Sequence, residues 1–275
     1  NLEQLLNTAL GRYVDLAGID EDVSEEQKVL IQGACFLHRE MPVRLAHRAK
    51  ELGNSALRHS KNAQVVRTWY KQSFVDLLAI DFPDTVEKEE IFAEVIAEIY
   101  ERHAPTLVTM ARAAHELRSK LGPNSLEEEF ELQRLLDKFY MSRIGIRMLI
   151  GQYLALREQF YSESESSMLG LIHQKVSPLQ VAKEAIEDAE YICKRTHGDS
   201  PEVTIHGRTD LTFCYVPSHL HYMLVELLKN SMRATMDGTS RTALRCSRAQ
   251  PWPKRRDASP AGKCQSARLS LVTTS

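Results

Sequence analysis

Residues 217–235, PSHLHYMLVELLKNSMRAT, decide how this chain is read. Leu220, Leu224, Leu227, Leu228 and Met232 recur at spacings of three and four, which predicts one amphipathic helix with an apolar seam. Glu226, Lys229, Asn230 and Arg233 recur at the same spacings along an adjoining stripe. Residues three and four apart on a helix stand over one another, so a carboxylate, an ammonium, an amide and a guanidinium share one strip. The strip has two readings. It is a solvated, charged helix face, or it is a nucleotide site. In the second, the Asn230 amide oxygen is a hard neutral ligand for Mg²⁺, Lys229 and Arg233 hold phosphate oxygens, and Glu226 accepts a proton from an attacking hydroxyl. Spacing alone does not choose between them.

Upstream of this helix, Val203–Thr204–Ile205 and Leu211 to Tyr215 read as two short strands, with His206 and Gly207 opening the turn between them. Ser177 caps a helix that has Pro178 in its first turn and Gly198 just past its end. Met168 to Lys175 has β character. Strand, helix, strand, strand, helix is the order of the first half of an α/β sandwich, with helices laid on one face of a mixed sheet. The polar run YSESESS, 161–167, reads as a linker and a domain boundary.

Further upstream the period is helical throughout. Residues 2–16 carry Leu2, Leu5, Leu6, Ala9, Leu10 and Tyr13 at helical spacing. Ser24 and Gln27 form a capping box for the next helix, which Pro42 either kinks or divides before it ends near Gly53. A helix from Asn62 to about Ile80 follows, then a turn at Phe82–Pro83–Asp84. One long helix is predicted from Val86 to Leu121, bent at Pro105. Another, capped by Ser125, reaches about Gln159. The expected fold class is α + α/β: an antiparallel helical bundle of the four-helix type over 1–160, then an incomplete α/β sandwich over 168–237.

The composition, 43% hydrophobic and 26% charged, is that of an ordinary globular chain, and no apolar run approaches a membrane span. The net charge of −2 is unevenly placed: residues 238–275 hold 8 Lys/Arg against 1 Asp/Glu, leaving 27 against 36 elsewhere. That basic segment is rich in Arg, Ser and Pro, without helical or strand period, and reads as a disordered tail. With no aromatic interleaving beyond Trp252, nucleic-acid binding is not expected. The five cysteines are scattered, with no C-x-x-C, and read as reduced thiols rather than a zinc site.

The stretch ELLKNSMRAT, preceded by YVPSHL, resembles the N box of the mitochondrial protein kinases, the pyruvate dehydrogenase kinases and the branched-chain ketoacid dehydrogenase kinase. Two upstream stretches resemble the same family: FLHREMPVRLAHR, Phe36 to Arg48, and KFYMSRIGIRMLIGQ, Lys138 to Gln152. The resemblance implies the ATPase fold shared with gyrase and bacterial histidine kinases. It implies ATP and Mg²⁺ as cofactors, Glu226 as general base toward a substrate serine, Asn230 as metal ligand, and Lys229 and Arg233 at the nucleotide. Many animal members carry a His four residues before that Glu; here Tyr222 stands there, and His221 lies one place earlier. A helical His followed by an acid is the phospho-acceptor pattern of the histidine kinases. His38 and His47 do not fit it and read as surface or capping residues.

In the second of those stretches Arg143 and Arg147 sit one turn apart, flanked by Ile146 and Ile150. Two guanidiniums aimed into a bundle need anions, and buried carboxylates are the plain answer. The resemblance implies instead a regulatory pocket for a small carboxylate, pyruvate or a branched-chain ketoacid, with Tyr70, Ser73, His103, Ser142, Arg143, Ile146, Arg147 and Ile150 as its walls. Tyr100 falls where family members often have a basic residue. The implied partners are the decarboxylase subunit as substrate, the lipoyl domain of the complex's core and a second copy of the chain; the implied location is the mitochondrial matrix. The resemblance runs from Leu2 to about Asp237. No D-x-G-x-G turn follows, so a C-terminally truncated member is expected. Two functions stand: a serine kinase of the pyruvate dehydrogenase complex, with the branched-chain complex as alternative, or a non-catalytic product that binds the complex through its helical part.

Overall fold

The computed structural model describes residues 23–120, 126–162, 168–248 and 268–272, with side chains through Asp237. The predicted helix over 2–16, the capping residue Ser125 and linker residues 163–167 lie outside them. The chain divides into two compact units, Asn1–Leu171 and Ile172–Ser275.

The first unit is helical. Helix α1 (Glu25–Asn54) opens with the expected capping box: the Ser24 hydroxyl accepts from Gln27 N, and the Gln27 side chain accepts from Ser24 N. Pro42 neither ends this helix nor starts another. It removes one helical hydrogen bond, but Leu37, Met41 and Leu45 are buried on both sides of it and carry the helix through. After a 3₁₀ turn (Ala56–His59), Ser60 caps α2 (Lys61–Leu78) and Thr85 caps α3 (Val86–Arg102).

The single helix expected over 86–121 is corrected: α3 stops, and α4 (Thr106–Arg118) begins beyond Pro105. Pro105 lacks an N–H, and the residue before a proline avoids the helical region. The last turn of α3 tightens in response, with His103 N bonding Ile99 O but Ala104 N bonding Glu101 O. Helix α5 (Leu126–Ser162) completes the set. Helix α1 lies against α2, α3 and α5, and α2 against α4, around one core that includes Leu37, Met41, Tyr70, Phe92, Ile96 and Phe139. Each large apolar side chain so buried contributes about 1.5–3 kcal/mol. Glu89 is the charged exception. It is buried in the first turn of α3, where the Tyr153 hydroxyl and Arg157 Nε donate to it.

Strand β1 (Met168–Leu169) is followed by a turn at Gly170, φ 62°. Helix α5 grips this turn by two amides. Gln152 accepts from Leu171 N at 2.8 Å and donates to Leu169 O at 2.9 Å, while Gln159 accepts from Gly170 N at 2.8 Å. A Cβ at position 170 would lie 2.6 Å from Gln152 Nε2, so both the backbone conformation and the space demand glycine.

The second unit holds β2 (Ile172–Val176), α6 (Pro178–His197), β3 (Glu202–His206), β4 (Phe213–Tyr215), α7 (Pro217–Arg248) and β5 (Arg268–Val272). Helix α6 is bounded as expected, by the Ser177 cap, Pro178 and left-handed Gly198. Its small residues Ala185, Ala189 and Cys193 let α7 approach and seat Val225, Leu228 and Met232. Strand β2 runs antiparallel to β4, pairing His173 with Tyr215 and Val176 with Phe213 across a register irregularity.

The two expected strands form, as β3 and β4, and do not pair with each other; the structureless reading of the basic tail is corrected at 238–248 and 268–272. β4 is taken by β2, and the connecting loop closes on itself through an Arg208–Asp210 ion pair of 3.1 Å. β3 pairs in parallel with β5, from Glu202 opposite Arg268 to His206 opposite Val272. Regular structure also continues beyond residue 237, as α7 to Arg248 and as β5. A short strand needs only a partner for its backbone groups, which composition does not reveal.

Candidate nucleotide strip and buried guanidinium cluster

On α7 the four predicted strip residues share one side of the helix. Asn230 and Arg233 are exposed; Glu226 and Lys229 are partly so. Lys229 Nζ donates to Glu226 Oε1 at 2.7 Å, so the carboxylate and its neighbouring ammonium neutralise each other. Arg233 Nε stands 3.8 Å from Asp237 Oδ2. Leu227 does not belong to the apolar seam: it is 64% exposed, beside Tyr222 and Met223, and the buried seam is Val225, Leu228 and Met232. The seam is narrower than predicted because the small residues of α6, Ala185, Ala189 and Cys193, admit only that face. His221 turns toward α6, with Nε2 3.3 Å from Asp188 Oδ2.

Among the described residues, no three His, Cys, Asp or Glu side chains come together as a metal site. The strip nevertheless suits Mg²⁺. That ion takes few protein ligands and keeps waters and phosphates, and an exposed amide oxygen one turn from a carboxylate is the hard donor set it accepts.

The second candidate lies in the first unit, where α3 gives way to α4. Tyr70 and Ser73 on α2 are fully buried, and His103 at the break is nearly so. The Tyr70 and His103 rings stack with centroids 4.4 Å apart. His103 Nε2 is 3.0 Å from Ser73 Oγ, which also receives Arg102 Nη1 at 2.9 Å. The ring donates its N–H to the Trp69 backbone, which leaves Nε2 to accept the Ser73 proton. Burial pulls the His103 pKa down to about 4, against a backbone hydrogen bond at Trp69 that raises it; Arg102, Arg143 and Arg147 lower it further. His103 is neutral at pH 7. Burial likewise raises the Tyr70 phenol to about 12.

Helix α5 brings Arg143 and Arg147 to this place from beside buried Ile146 and Ile150, with Ser142 half-buried next to them. The carboxylate partners that two inward guanidiniums lead one to expect are not there. Arg143 Nη2 donates to His103 O at 3.2 Å and to Ala104 O at 3.3 Å. Arg147 Nη1 donates to Tyr100 O at 3.1 Å, and its Cζ lies 3.7 Å over the Tyr100 ring. The cause is the tightened last turn of α3: because Ala104 N bonds Glu101 O, Tyr100 O loses its helical partner and accepts Arg147 instead. The negative end of the α3 dipole adds to the attraction.

Three polar atoms here are buried without a partner: Tyr70 Oη, Thr106 Oγ1 and Arg143 Nε. Sequence reasoning passed over Arg102, whose partner Asp76 lies 2.7 Å away on α2, and Thr106. The Arg-His-x-Pro-Thr run at the break was the available signal. His38 is also corrected. It is half-buried, its Nε2 3.4 Å from Ile80 O and its ring edge-on to Phe82, while His47 is exposed. A cleft of about 520 Å³ elsewhere in this unit is lined by residues such as His47, Lys50 and Lys138, and by none of the predicted site residues.

A family profile described as mitochondrial branched-chain alpha-ketoacid dehydrogenase kinase matches residues 8–173. The chain belongs to this kinase family. Relatives within the kinase family include the mitochondrial pyruvate dehydrogenase (acetyl-transferring) kinase of Arabidopsis thaliana, 40% identical over 215 residues, 77% of this chain and 57% of the relative. Isozyme 1 of the same kinase from Mus musculus is 35% identical, covering 74% of this chain and 49% of the relative. Isozyme 4 from Homo sapiens is 33% identical, covering 74% and 51%. The chain spans about half the length of these relatives. No described helix is long and apolar enough to cross a membrane.

Proposed function

We propose that this chain carries the helical unit and the first part of the ATP-binding unit of a mitochondrial serine kinase, acting in the matrix on the decarboxylase subunit of the pyruvate dehydrogenase complex. The pyruvate complex is preferred to the branched-chain one because the relatives named above are pyruvate dehydrogenase kinases. The observation that carries the reading is the α7 strip: Glu226 and Asn230 stand one turn apart on an open helix face, neither sealed in the core. In this reading β2, β4, α6 and α7 are the opening part of an ATPase-type sandwich, and α1–α5 the bundle that docks the lipoyl domain.

Phosphoryl transfer asks the protein chiefly for positioning and for neutralisation of charge. Mg²⁺, held by Asn230, would supply neutralisation of the nucleotide's phosphate charge. Asn230 holds that ion through its amide oxygen, and Lys229 and Arg233 hold phosphate oxygens. Glu226 orients the serine hydroxyl and takes its proton, which requires Lys229 to turn from Glu226 to the nucleotide. The buried cluster of Tyr70, Ser73, His103, Arg143 and Arg147 is the regulatory pocket for a small carboxylate. A homodimer is the assembly expected from the family.

Titration with Mg-ATP tests the reading. Saturable binding that Asn230→Ala abolishes supports it, and no binding at millimolar Mg-ATP overturns it. The second reading, a non-catalytic module that binds the complex through its helical unit, is favoured by one observation: the only base candidate on the strip is already held by Lys229 at 2.7 Å.

A further inference from the structure

We propose that the cleft between the last two turns of α1 and the first half of α5 binds a small organic phosphate. The site stands apart from the kinase reading and uses none of its residues. Its volume of about 520 Å³ is that of a small-molecule site. Each wall is one stripe of a helix. His47, Lys50 and Asn54 follow at spacings of three and four on α1, and Glu131, Arg134 and Lys138 do so on α5. Ala56 and the buried Leu132 add apolar surface.

The charge in this cleft is unbalanced toward cations. Glu51, which also lines it, is matched by Arg48 at 2.6 Å, and Glu131 by Arg134 at 3.4 Å. Lys50 and Lys138 make no ion pair among the described residues, and one stands on each wall. The carbonyl end of α1 beside Lys50 is engaged elsewhere, Leu52 O by Ser55 Oγ and Ala49 O by Arg67 Nε. Two ammoniums are point charges with rotatable donors, without the fixed fork by which a guanidinium grips a planar carboxylate. The anion that answers both is a tetrahedral dianion. A phosphate monoester carries about −1.5 to −2 charges near neutral pH, with three strong acceptor oxygens. The cleft is larger than one phosphate group, and the Asn54 amide and the apolar lining receive an organic body.

The experiment is calorimetric titration of the full chain, at low ionic strength, with phenyl phosphate, benzoate and inorganic phosphate. The first two share a ring and differ in the anion; the third lacks the body. One saturable site with a Kd below about 1 mM is expected for phenyl phosphate, and weaker binding for the other two. Lys50→Met and Lys138→Met keep the apolar stems and remove one charge each. Each weakens phenyl phosphate about fivefold, and the pair about twenty-fivefold. Both lysines are exposed, so the variants keep the fold, which a thermal midpoint like that of the wild type checks. Asn230→Ala, on the α7 strip, leaves the affinity within about twofold. No binding of phenyl phosphate, affinity unmoved by both lysine variants, or benzoate binding as tightly overturns the proposal. A loss in Asn230→Ala with the lysine variants unmoved puts the phosphate on the α7 strip, which refutes the cleft and supports the kinase reading.

Discussion

The α7 strip and the cluster at the α3–α4 break are built from similar side chains in opposite ways. The strip is local: its acid, base and amide lie within eight residues of one helix, open to water, and its main bond is an i,i+3 ion pair. The cluster is assembled from α2, the break and α5, and its bonds span 26 to 47 residues of sequence. Being exposed, the strip can change partners at little cost to stability. Being buried, the cluster must satisfy each polar atom or leave it orphaned, and three are orphaned. Charge on the surface is available for chemistry; charge in the core is committed to architecture unless a ligand completes it.

The widest gap between the two should appear in truncation. Tyr70→Ala removes a fully buried ring that stacks on His103 and packs on Phe139, and is expected to cost about 3–5 kcal/mol in denaturant unfolding. A loss as small as that of a surface substitution would dissolve the contrast.

Acid is the next probe. His103 has a folded pKa of about 4 against an ordinary value of 6.5, so the unfolded chain binds the proton first as pH falls. The stability tied to its neutral form is complete above pH 6.5, declines between 6.5 and about 4, and is fully lost below. The loss is about 3 kcal/mol. It should be read as the difference between the pH profiles of wild type and His103→Gln, since carboxylates titrate nearby in pH in both. Parallel profiles would show that His103 is not buried neutral.

Tyr70→Phe sharpens the comparison further. It deletes only a hydroxyl that has no partner, so the thermal midpoint should hold or rise, by the equivalent of about 1 kcal/mol. A fall of that size would mean that the hydroxyl is bonded. Smallest of all is the strip. Lys229→Met breaks a half-exposed ion pair and should change stability by less than about 1 kcal/mol, while weakening Mg-ATP binding.

How far the sequence could be read follows the same divide. Local signals were legible: the Ser24–Gln27 capping box, the Pro178 and Gly198 bounds of α6, and the shared face of Glu226 and Asn230. Whatever depended on a distant partner was not. Leu227 fits a helical seam by spacing, yet α6 presents Ala185, Ala189 and Cys193 to a narrower face. β3 and β4 look like a hairpin because they are consecutive, and nothing in either shows that each pairs elsewhere. Arg143 and Arg147 pointed to buried anions, and their acceptors proved to be carbonyl oxygens, which every residue has and no sequence pattern marks. The Pro105 break was legible as a bend and not as the source of those acceptors.

That interruption of α3 has an evolutionary corollary. A continuous helix would keep its carbonyl oxygens to itself, and two cations from α5 would then require acidic residues placed by mutation to receive them. An interrupted helix offers acceptors that belong to the main chain, which side-chain substitution leaves in place. A substitution at position 100 therefore leaves the Arg147 anchor in place, because the acceptor is the carbonyl of that residue and not its side chain.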